Sequence, residues 1–204
     1  MKLNLGCSNR VIEGWINVDY SLGAKFMKIS LFRAINKTVR LFNQDWDGRI
    51  YIHDLTKKFP WADSTVDTIY CSHILEHFTR EDGQRFLKEC HRVLRKNGII
   101  RIIVPDLRYI VREYIEGRVN AENFLENLDV LYSNGKSRLK NKLYPFIQFP
   151  HKCMYDSQRL ISILNEVGFH VASKVEFDSN ITDINQIELK ERTENAVIVE
   201  GYKR

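Results

Sequence analysis

Short apolar runs alternate with amphipathic stretches along most of the chain. Five runs in the first half are short and rich in Val, Ile or Tyr, which is typical of strands in a buried sheet. These predicted strands cover residues 2–5, 15–18, 49–53, 66–71 and 98–104. Strands that alternate with helices predict right-handed crossovers and a mostly parallel sheet that is covered on both faces. The fold class expected from this pattern is α/β.

The clearest predicted helix covers residues 81–94. Thr79 is its candidate N-cap, and Asn97-Gly98 is the expected stop signal. A second amphipathic helix is expected to end at Gly168. Beyond it, residues 171–177 and 196–202 are predicted strands joined by a long polar loop, which suggests that an antiparallel pair finishes the sheet.

Two basic amphipathic segments, at about residues 22–43 and 117–149, interrupt the alternation. Residues 20–50 contain six Lys or Arg against two Asp, and residues 117–152 contain six against three acids. Two interpretations stay open: ordinary covering helices with solvated faces, or a lid over a substrate cleft that contacts a membrane surface or an anionic substrate. Because no linker or repeat is visible, residues 1–204 are expected to form a single domain with these helical insertions.

The composition changes this picture little. A chain of 204 residues with 44% apolar residues can bury a core, and a formal net charge of +5 is milder than that of a dedicated nucleic-acid binder. The four cysteines form no CxxC pair, which favours reduced thiols and a cytoplasmic location. A secretory leader and a spanning helix are not expected, because the start lacks a long apolar region and no apolar run is long enough.

Candidate binding residues follow the predicted strands at their ends. Gly6 ends the first strand, Asp19 follows the second and Asp54 follows the third. In open α/β sheets, ligands bind at this edge, where a carboxylate can accept hydrogen bonds from ribose hydroxyls. The fingerprints GxGxxG and GxxxxGK[ST], which cradle phosphates, are both missing. The sequence therefore favours a nucleoside cofactor without phosphates.

Four motifs carry a resemblance to a known family. They are, in chain order, LNLGCSN, GWINVDYS, HDLTKKFPWADSTVDTIYCSHILEHF and FLKECHRVLRKNGIIRIIVPD. This order resembles class I S-adenosylmethionine-dependent methyltransferases, in particular a branch with LNLGCG, an early GWxNVD and SHxLEH. The resemblance is close over residues 2–107, and HKCMYDSQRLISILNEVGF is similar to the closing helix of the family. It implies a Rossmann-like sheet of seven strands, mostly parallel, with an antiparallel last strand.

The resemblance also implies a cofactor site. S-adenosylmethionine would be the methyl donor and S-adenosylhomocysteine the product. The residues implied in binding the cofactor are Asn4, Gly6, Cys7 and Ser8 at its methionine part, Asp19 and Tyr20 at the ribose, Asp54 and Leu55 at the adenine, and Ser72 and His73 at the sulfonium side. The chain departs from the family at Ser8, which stands where a second glycine is usual.

Histidines near the implied methyl group are candidates for a general base. Methyl transfer to a hydroxyl needs a general base. His73, His77 and His151 are the candidate catalytic residues, and Tyr155 and Asp106 are second-choice candidates. Residues 73–77 also satisfy HxxEH, a zinc motif of metalloproteases. A metal is not expected, because that motif belongs within a helix and this one follows a strand without a third ligand.

The resemblance implies methyl transfer, and the acceptor is assigned by analogy. By analogy with relatives of this branch, which often resemble accessory enzymes of glycan biosynthesis, we expect methylation of an oxygen on a small molecule or on a sugar of a surface polysaccharide. A motif of the Asn-Pro-Pro-Tyr type is missing at residues 71–74, which disfavours nitrogen targets on DNA bases or protein glutamine. Two alternatives stay open: an RNA methyltransferase, suggested by the basic segments, and a binding module without catalysis. The sequence does not decide the oligomeric state.

Overall fold

The computed structural model describes residues 1–29, 47–130 and 149–204, and all its strands belong to one sheet. The strands are β1 (Lys2–Leu5), β2 (Ile16–Asp19), β3 (Tyr51–Ile52), β4 (Val66–Ser72), β5 (Leu94–Pro105), β6 (Phe169–Ser173) and β7 (Ala196–Lys203). Their order across the sheet is β3-β2-β1-β4-β5-β7-β6. The pairs from β3 to β5 are parallel, and β7 runs antiparallel to both of its neighbours. The expected mostly parallel sheet with an antiparallel last strand is thus confirmed.

Helices occupy the connections between these strands. They are α1 (Leu22–Met27), α2 (Arg80–Val93), α3 (Leu107–Ile115), α4 (Ala121–Leu128), α5 (Ser157–Val167), α6 (Ile184–Ile187) and α7 (Lys190–Thr193), and a single 3₁₀ turn covers Leu75–His77. None of the helices in the described ranges is long and apolar enough to cross a membrane.

Helix α2 begins as the sequence predicts and ends earlier. The Thr79 hydroxyl accepts a hydrogen bond from the Asp82 amide at 3.2 Å, which confirms the N-cap. The expected stop at Asn97-Gly98 is wrong, because the helix ends at Val93 and the chain enters β5 at Leu94. Leu94 is fully buried and aligns with Val66 of β4, so strand pairing and burial outweigh the helical spacing of the apolar stripe.

The connection between β6 and β7 also differs from the prediction. Strand β6 ends at Ser173, four residues before the predicted end, and Phe177 adopts a left-handed backbone with φ 56°. The expected polar loop contains α6 and α7 instead. Buried isoleucines of this connection, Ile181, Ile184 and Ile187, pack with Ile12, Trp15 and Tyr70 on one face of the sheet. The other face of the sheet is covered by α2 and α5.

A buried ion network holds this connection against the sheet. Arg101 of β5 is fully buried and donates to both carboxylate oxygens of Glu188, at 2.6 and 2.9 Å. Its guanidinium also donates to Glu200 of β7 at 3.2 Å and to the carbonyls of Val175 and Asp178. The network fixes the segment that precedes α7, and α7 in turn borders the site described below.

The two predicted insertions are described only in part. Helix α1 lies in the first and α4 in the second, while residues 30–43 and 131–148 lie outside the described residues. The expected lid and its contact with a membrane or a substrate therefore stay predictions.

Candidate active site

The loop after β1 turns back sharply at the edge of the sheet. The Gly6 and Cys7 amides both donate to the Val18 carbonyl, at 2.8 and 3.0 Å. Gly6 has φ 70°, and a Cβ at this position would lie 1.9 Å from Cδ1 of Ile74. Only glycine fits here, because a side chain would be strained and would collide with Ile74. The missing side chain consequently lets the loop pack tightly against Ile74.

Ser8 occupies the position where the family usually has a second glycine. It adopts φ 53°, a left-handed conformation that glycine takes more readily. Its amide donates to Oδ2 of Asp19 at 2.8 Å, and the Ser21 amide donates to Oδ1 of the same carboxylate at 2.7 Å. Asp19 is therefore held from both sides at the end of β2, and its oxygens keep lone pairs that can accept further hydrogen bonds.

Asn4 and Cys7 are buried residues that pack beneath the Gly6 loop, on its side toward the protein interior. Asn4 is buried and donates to the side-chain oxygen of Asn17 at 2.9 Å. Burial, followed by the nearby charge of Asp19, raises the pKa of Cys7 to about 12. The thiol is neutral near pH 7 as a result, and it packs beside α1 as a small apolar group. Cys71 and Cys90 are also buried and, like Cys7 and Cys153, unpaired.

A cleft opens between this loop and the end of β4. Its cavity volume is about 130 Å³, and it is open to solvent. Its lining comprises Asn4, Gly6, Cys7, Ser8, Asn9, Arg10, Tyr70, Ser72, Ile187, Leu189 and Arg192. The Ser72 side chain is buried, and its hydroxyl has no hydrogen-bond partner in the part of the chain that the structure describes. A buried hydroxyl in this state indicates a position for a polar ligand atom.

Five of the predicted cofactor residues, Asp19, Tyr20, Asp54, Leu55 and His73, lie outside the lining of this cleft. Asp54 accepts hydrogen bonds from the amide and the hydroxyl of Thr56, at 2.9 and 2.7 Å, and so closes a turn after β3. Leu55 is buried in the main core. Tyr20 is 47% exposed, and the Lys25 ammonium lies 3.1 Å from the centre of its ring.

The three candidate histidines converge on one buried carboxylate, that of Glu76. His73 Nδ1 lies 3.3 Å from Glu76 Oε1, and His151 Nε2 lies 4.0 Å from the same oxygen. The rings of His77 and His151 are 5.1 Å apart between centroids. Glu76 is fully buried, yet within residues 1–29, 47–130 and 149–204 neither of its carboxylate oxygens has a hydrogen-bond partner. We call these four residues the Glu76 cluster.

Backbone contacts join the two segments that form the Glu76 cluster. The amides of Lys152 and Cys153 donate to the Glu76 carbonyl, at 2.7 and 3.1 Å, and thereby hold the segment after His151 against the 3₁₀ turn. His73 precedes that turn with a left-handed backbone, φ 54°, and its amide donates to the Ile103 carbonyl. Burial lowers the pKa of His77, although the charge of Glu76 opposes this shift.

The Glu76 cluster borders the cleft through His73. This residue directly follows Ser72, and its Nε2 lies 2.9 Å from the carbonyl oxygen of Arg192. Ser72 and Arg192 both line the cleft, and His73, which is not itself a lining residue, is the chain neighbour of Ser72 and contacts the Arg192 carbonyl. The side chain of His73 is 27% exposed, more than the 10% of His151.

Tyr155 and Asp106, the remaining base candidates, have structural contacts. Asp106 accepts a hydrogen bond from the Arg108 amide at 2.9 Å and so caps α3. Tyr155 pairs with it through a short β-bridge, and burial raises the pKa of its hydroxyl. Neither residue lines the cleft.

Sequence reasoning missed the wall that the connection between β6 and β7 contributes to the cleft. Ile187, Leu189 and Arg192 form this wall, and the Arg10 guanidinium donates to the Gln186 carbonyl at 2.8 Å across it. Glu76 was recognised only as part of HxxEH, without its central place among the histidines. Both features depend on contacts between segments far apart in the chain, for which no local signal exists.

Comparison with known proteins agrees with this geometry. Residues 3–102 match a family model described as a methyltransferase domain. No curated protein matches the sequence. The matched region covers β1 to β4 and most of β5, and so contains the Gly6 loop, Asp19, Ser72 and the HILEH motif.

Solved structures share the fold at low sequence identity. A methyltransferase of Methanosarcina mazei has a TM-score of 0.54 and 13% identity over 99% of this chain and 91% of its own. A methyltransferase of Archaeoglobus fulgidus has a TM-score of 0.53 and 18% identity, over 99% of this chain and 85% of its own. A chain from a complex of the Haloferax volcanii Trm112 methyltransferase activator with a methyltransferase has a TM-score of 0.51 and 14% identity, over 98% of this chain and 81% of its own. The shared sheet confirms the architecture that the motifs imply.

Proposed function

Because residues 3–102 match a methyltransferase domain and S-adenosylmethionine-dependent methyltransferases of known structure share the fold, we propose that this chain methylates a hydroxyl oxygen of a small molecule or a sugar. The observation that supports an oxygen acceptor is the Glu76 cluster, which places a histidine and a buried carboxylate beside the cleft. Hydroxyls are weak nucleophiles at neutral pH, and a base that removes their proton during the reaction is what such a pair provides.

The residues around the cleft fit the methyl donor. The Gly6 loop lines the cleft, and the Ser72 hydroxyl is buried without a partner among the residues described. Asp19 presents a fixed carboxylate at the end of β2, where such folds bind a ribose. When bound, S-adenosylmethionine supplies an electrophilic methyl group on a sulfonium, and transfer breaks the carbon–sulfur bond while the sulfur keeps the electron pair.

His73 is the base in this proposal. Its Nδ1 faces Glu76, so the carboxylate can orient the ring and stabilise the imidazolium that forms when Nε2 takes the proton. In the present arrangement Nε2 faces the Arg192 carbonyl, a contact that an acceptor hydroxyl would replace. The acceptor oxygen then forms the new bond to carbon, and its proton resides on His73.

The remaining residues of the cleft position the reactants. Methyl transfer by direct displacement gains most from alignment and from exclusion of water. Ile187 and Leu189 make one wall of the cleft apolar, and the Gly6 loop forms the opposite wall. The ion network around Arg101 holds the apolar wall in place through Glu188, the residue between Ile187 and Leu189.

The test is a transfer assay with a methyl-labelled donor and a panel of sugars, small alcohols, RNA and protein. We expect label in an ether linkage on a hydroxyl compound. We also expect that His73→Ala reduces turnover about 10²- to 10⁴-fold while S-adenosylhomocysteine still binds. His170→Ala is the matched control, because His170 is exposed on β6. Label in RNA or on nitrogen, or full turnover in His73→Ala, would contradict the proposal.

A further inference from the structure

Three side chains of the Glu76 cluster have the composition of a metal site. Glu76, His77 and His151 each offer a ligand atom, and these atoms lie within 4.8 Å of one another. His151 Nε2 and Glu76 Oε1 are 4.0 Å apart. Bonds of about 2.0–2.2 Å to one ion would draw such atoms together by roughly an ångström. This movement is small enough for side chains alone.

The state of Glu76 is the first indication that a cation belongs here. The side chain is fully buried, and neither oxygen has a hydrogen-bond partner in the described ranges. An ionised carboxylate without partners is expensive to bury, and proteins normally pair it or use it to coordinate a metal. His73 Nδ1 is within ion-pair distance of one oxygen, without the geometry of a hydrogen bond.

The orientation of the two histidines is the second indication. His151 Nδ1 lies 2.8 Å from the Leu128 carbonyl oxygen, and His77 Nδ1 lies 3.5 Å from that of Pro150. A ring that donates from Nδ1 to a carbonyl keeps its lone pair on Nε2. Histidines that bind metals typically donate from the other ring nitrogen in this way, which fixes the tautomer.

The third indication is that backbone contacts hold the two segments of the site together. Glu76 and His77 come from the 3₁₀ turn, and His151 comes from a segment more than seventy residues later. The amides of Lys152 and Cys153 attach the second segment to the Glu76 carbonyl. His151 therefore supplies the third ligand that residues 73–77 lack when they are considered alone, and a helix is not needed.

The geometry points to a divalent transition-metal site formed by Glu76, His77 and His151. Two imidazole nitrogens and one carboxylate oxygen suit Zn²⁺ and similar ions, and three protein ligands leave a position open for a further oxygen. The inference deepens the proposed function, on which the role of that position rests: the acceptor hydroxyl would bind there, next to His73. The bound ion would lower the pKa of this hydroxyl.

The experiment measures metal binding directly. The full chain is dialysed against a chelator, cleared of it, and titrated with Co²⁺, followed by the visible absorption of the ion and by calorimetry. We expect one tight site per chain, which Zn²⁺ displaces. His151→Ala and Glu76→Gln should each weaken Co²⁺ binding by more than about tenfold. His170→Ala should bind as the wild type does.

The outcomes separate this inference from the proposed function. Far-ultraviolet circular dichroism and binding of S-adenosylhomocysteine show, without any metal, that each variant is folded. Absence of a stoichiometric site in the wild type, or unchanged Co²⁺ binding in folded His151→Ala, would overturn the metal site. Methyl transfer to a hydroxyl that persists at full rate in chelator would retain the proposed function and also reject the metal.

Discussion

Two buried groups of charges, one on either side of the cleft, differ in how completely they are satisfied. In the Arg101 network, the guanidinium contacts two carboxylates and two carbonyls, and Glu200 also accepts from Ser179 and Tyr202. In the Glu76 cluster, three histidines surround a carboxylate whose oxygens receive no hydrogen bond from the residues described. Both carboxylates, Glu200 and Glu76, are fully buried.

The difference separates a group that stabilises the fold from the group to which we assign the proposed chemistry. A saturated network has no capacity for another partner, and it holds the connection between β6 and β7 on the sheet. An unsaturated carboxylate loses solvation without compensation, so its energy falls when a proton, cation or substrate arrives. The chain therefore supports the cleft with the first group and can perform chemistry with the second.

The largest effect is expected from Arg101→Met. The change leaves Glu188 and Glu200 buried without their cation, and breaking one side of a buried ion pair costs about 3–5 kcal/mol. Urea unfolding should show this loss in the free energy of unfolding. A loss below about 1 kcal/mol would contradict the structural role, because it would mean that the two carboxylates find other partners.

Glu188→Gln is the milder disruption of the same network. The amide keeps one acceptor oxygen for Arg101 but loses the charge and the second acceptor, which also serves the Phe177 amide at 2.6 Å. Hydrogen bonds to charged groups contribute about 1.5–3 kcal/mol, and a loss of that size is expected in the same unfolding measurement. Arg192, which follows on α7, should shift as well, so S-adenosylhomocysteine binding should weaken.

Glu76→Gln is the matched change in the unsaturated group. Because the carboxylate has no hydrogen bonds to lose within the described chain, we expect the free energy of unfolding in chelator to stay constant or to rise by about 1 kcal/mol. Turnover should fall in the same variant. A destabilisation as large as that of Glu188→Gln would remove the distinction between the two groups.

His91 is a titratable group outside both regions, and the smallest effect is expected there. Burial, followed by the charge of Lys203, lowers its pKa from the ordinary value of 6.5. As the pH falls through about 6.5, the unfolded chain therefore binds more protons at this histidine than the folded chain does. The free energy of unfolding consequently decreases. His91→Gln should make the stability profile between pH 7 and 5 less steep. An unchanged profile would show that His91 does not contribute to it.

The sequence predicted the parts of the structure that local patterns encode. Short apolar runs rich in Val, Ile or Tyr marked the strands, and Gly168 ends α5 in the left-handed conformation expected of such a residue. The end of α2 was predicted wrongly because Leu94 fits a helical stripe as well as a buried strand. The helices α6 and α7 were missed because both are short, and the isoleucines of α6 form a pattern only against Trp15 and Tyr70.

The candidate site was predictable to a similar degree. Gly6 follows β1, and Asp19 and Ser72 are the last residues of β2 and β4, so the sheet topology brings them to one edge. The convergence of His73, His77 and His151 on Glu76 depends on how the segment after residue 148 returns to the 3₁₀ turn. No residue near His151 in the chain signals that return, because it is held by amides on the Glu76 carbonyl.

Calorimetric titration with S-adenosylhomocysteine tests the central claim most directly, namely that the Gly6 loop and Asp19 hold the methyl donor beside the Glu76 cluster. The account predicts one binding site per chain, weakened more than about tenfold by Asp19→Ala, since hydrogen bonds to a charged group are lost. Glu76→Gln and the exposed control Asp63→Ala should leave the affinity unchanged. No measurable heat with the wild type, or an Asp19→Ala variant that binds as tightly as the wild type, would contradict the account.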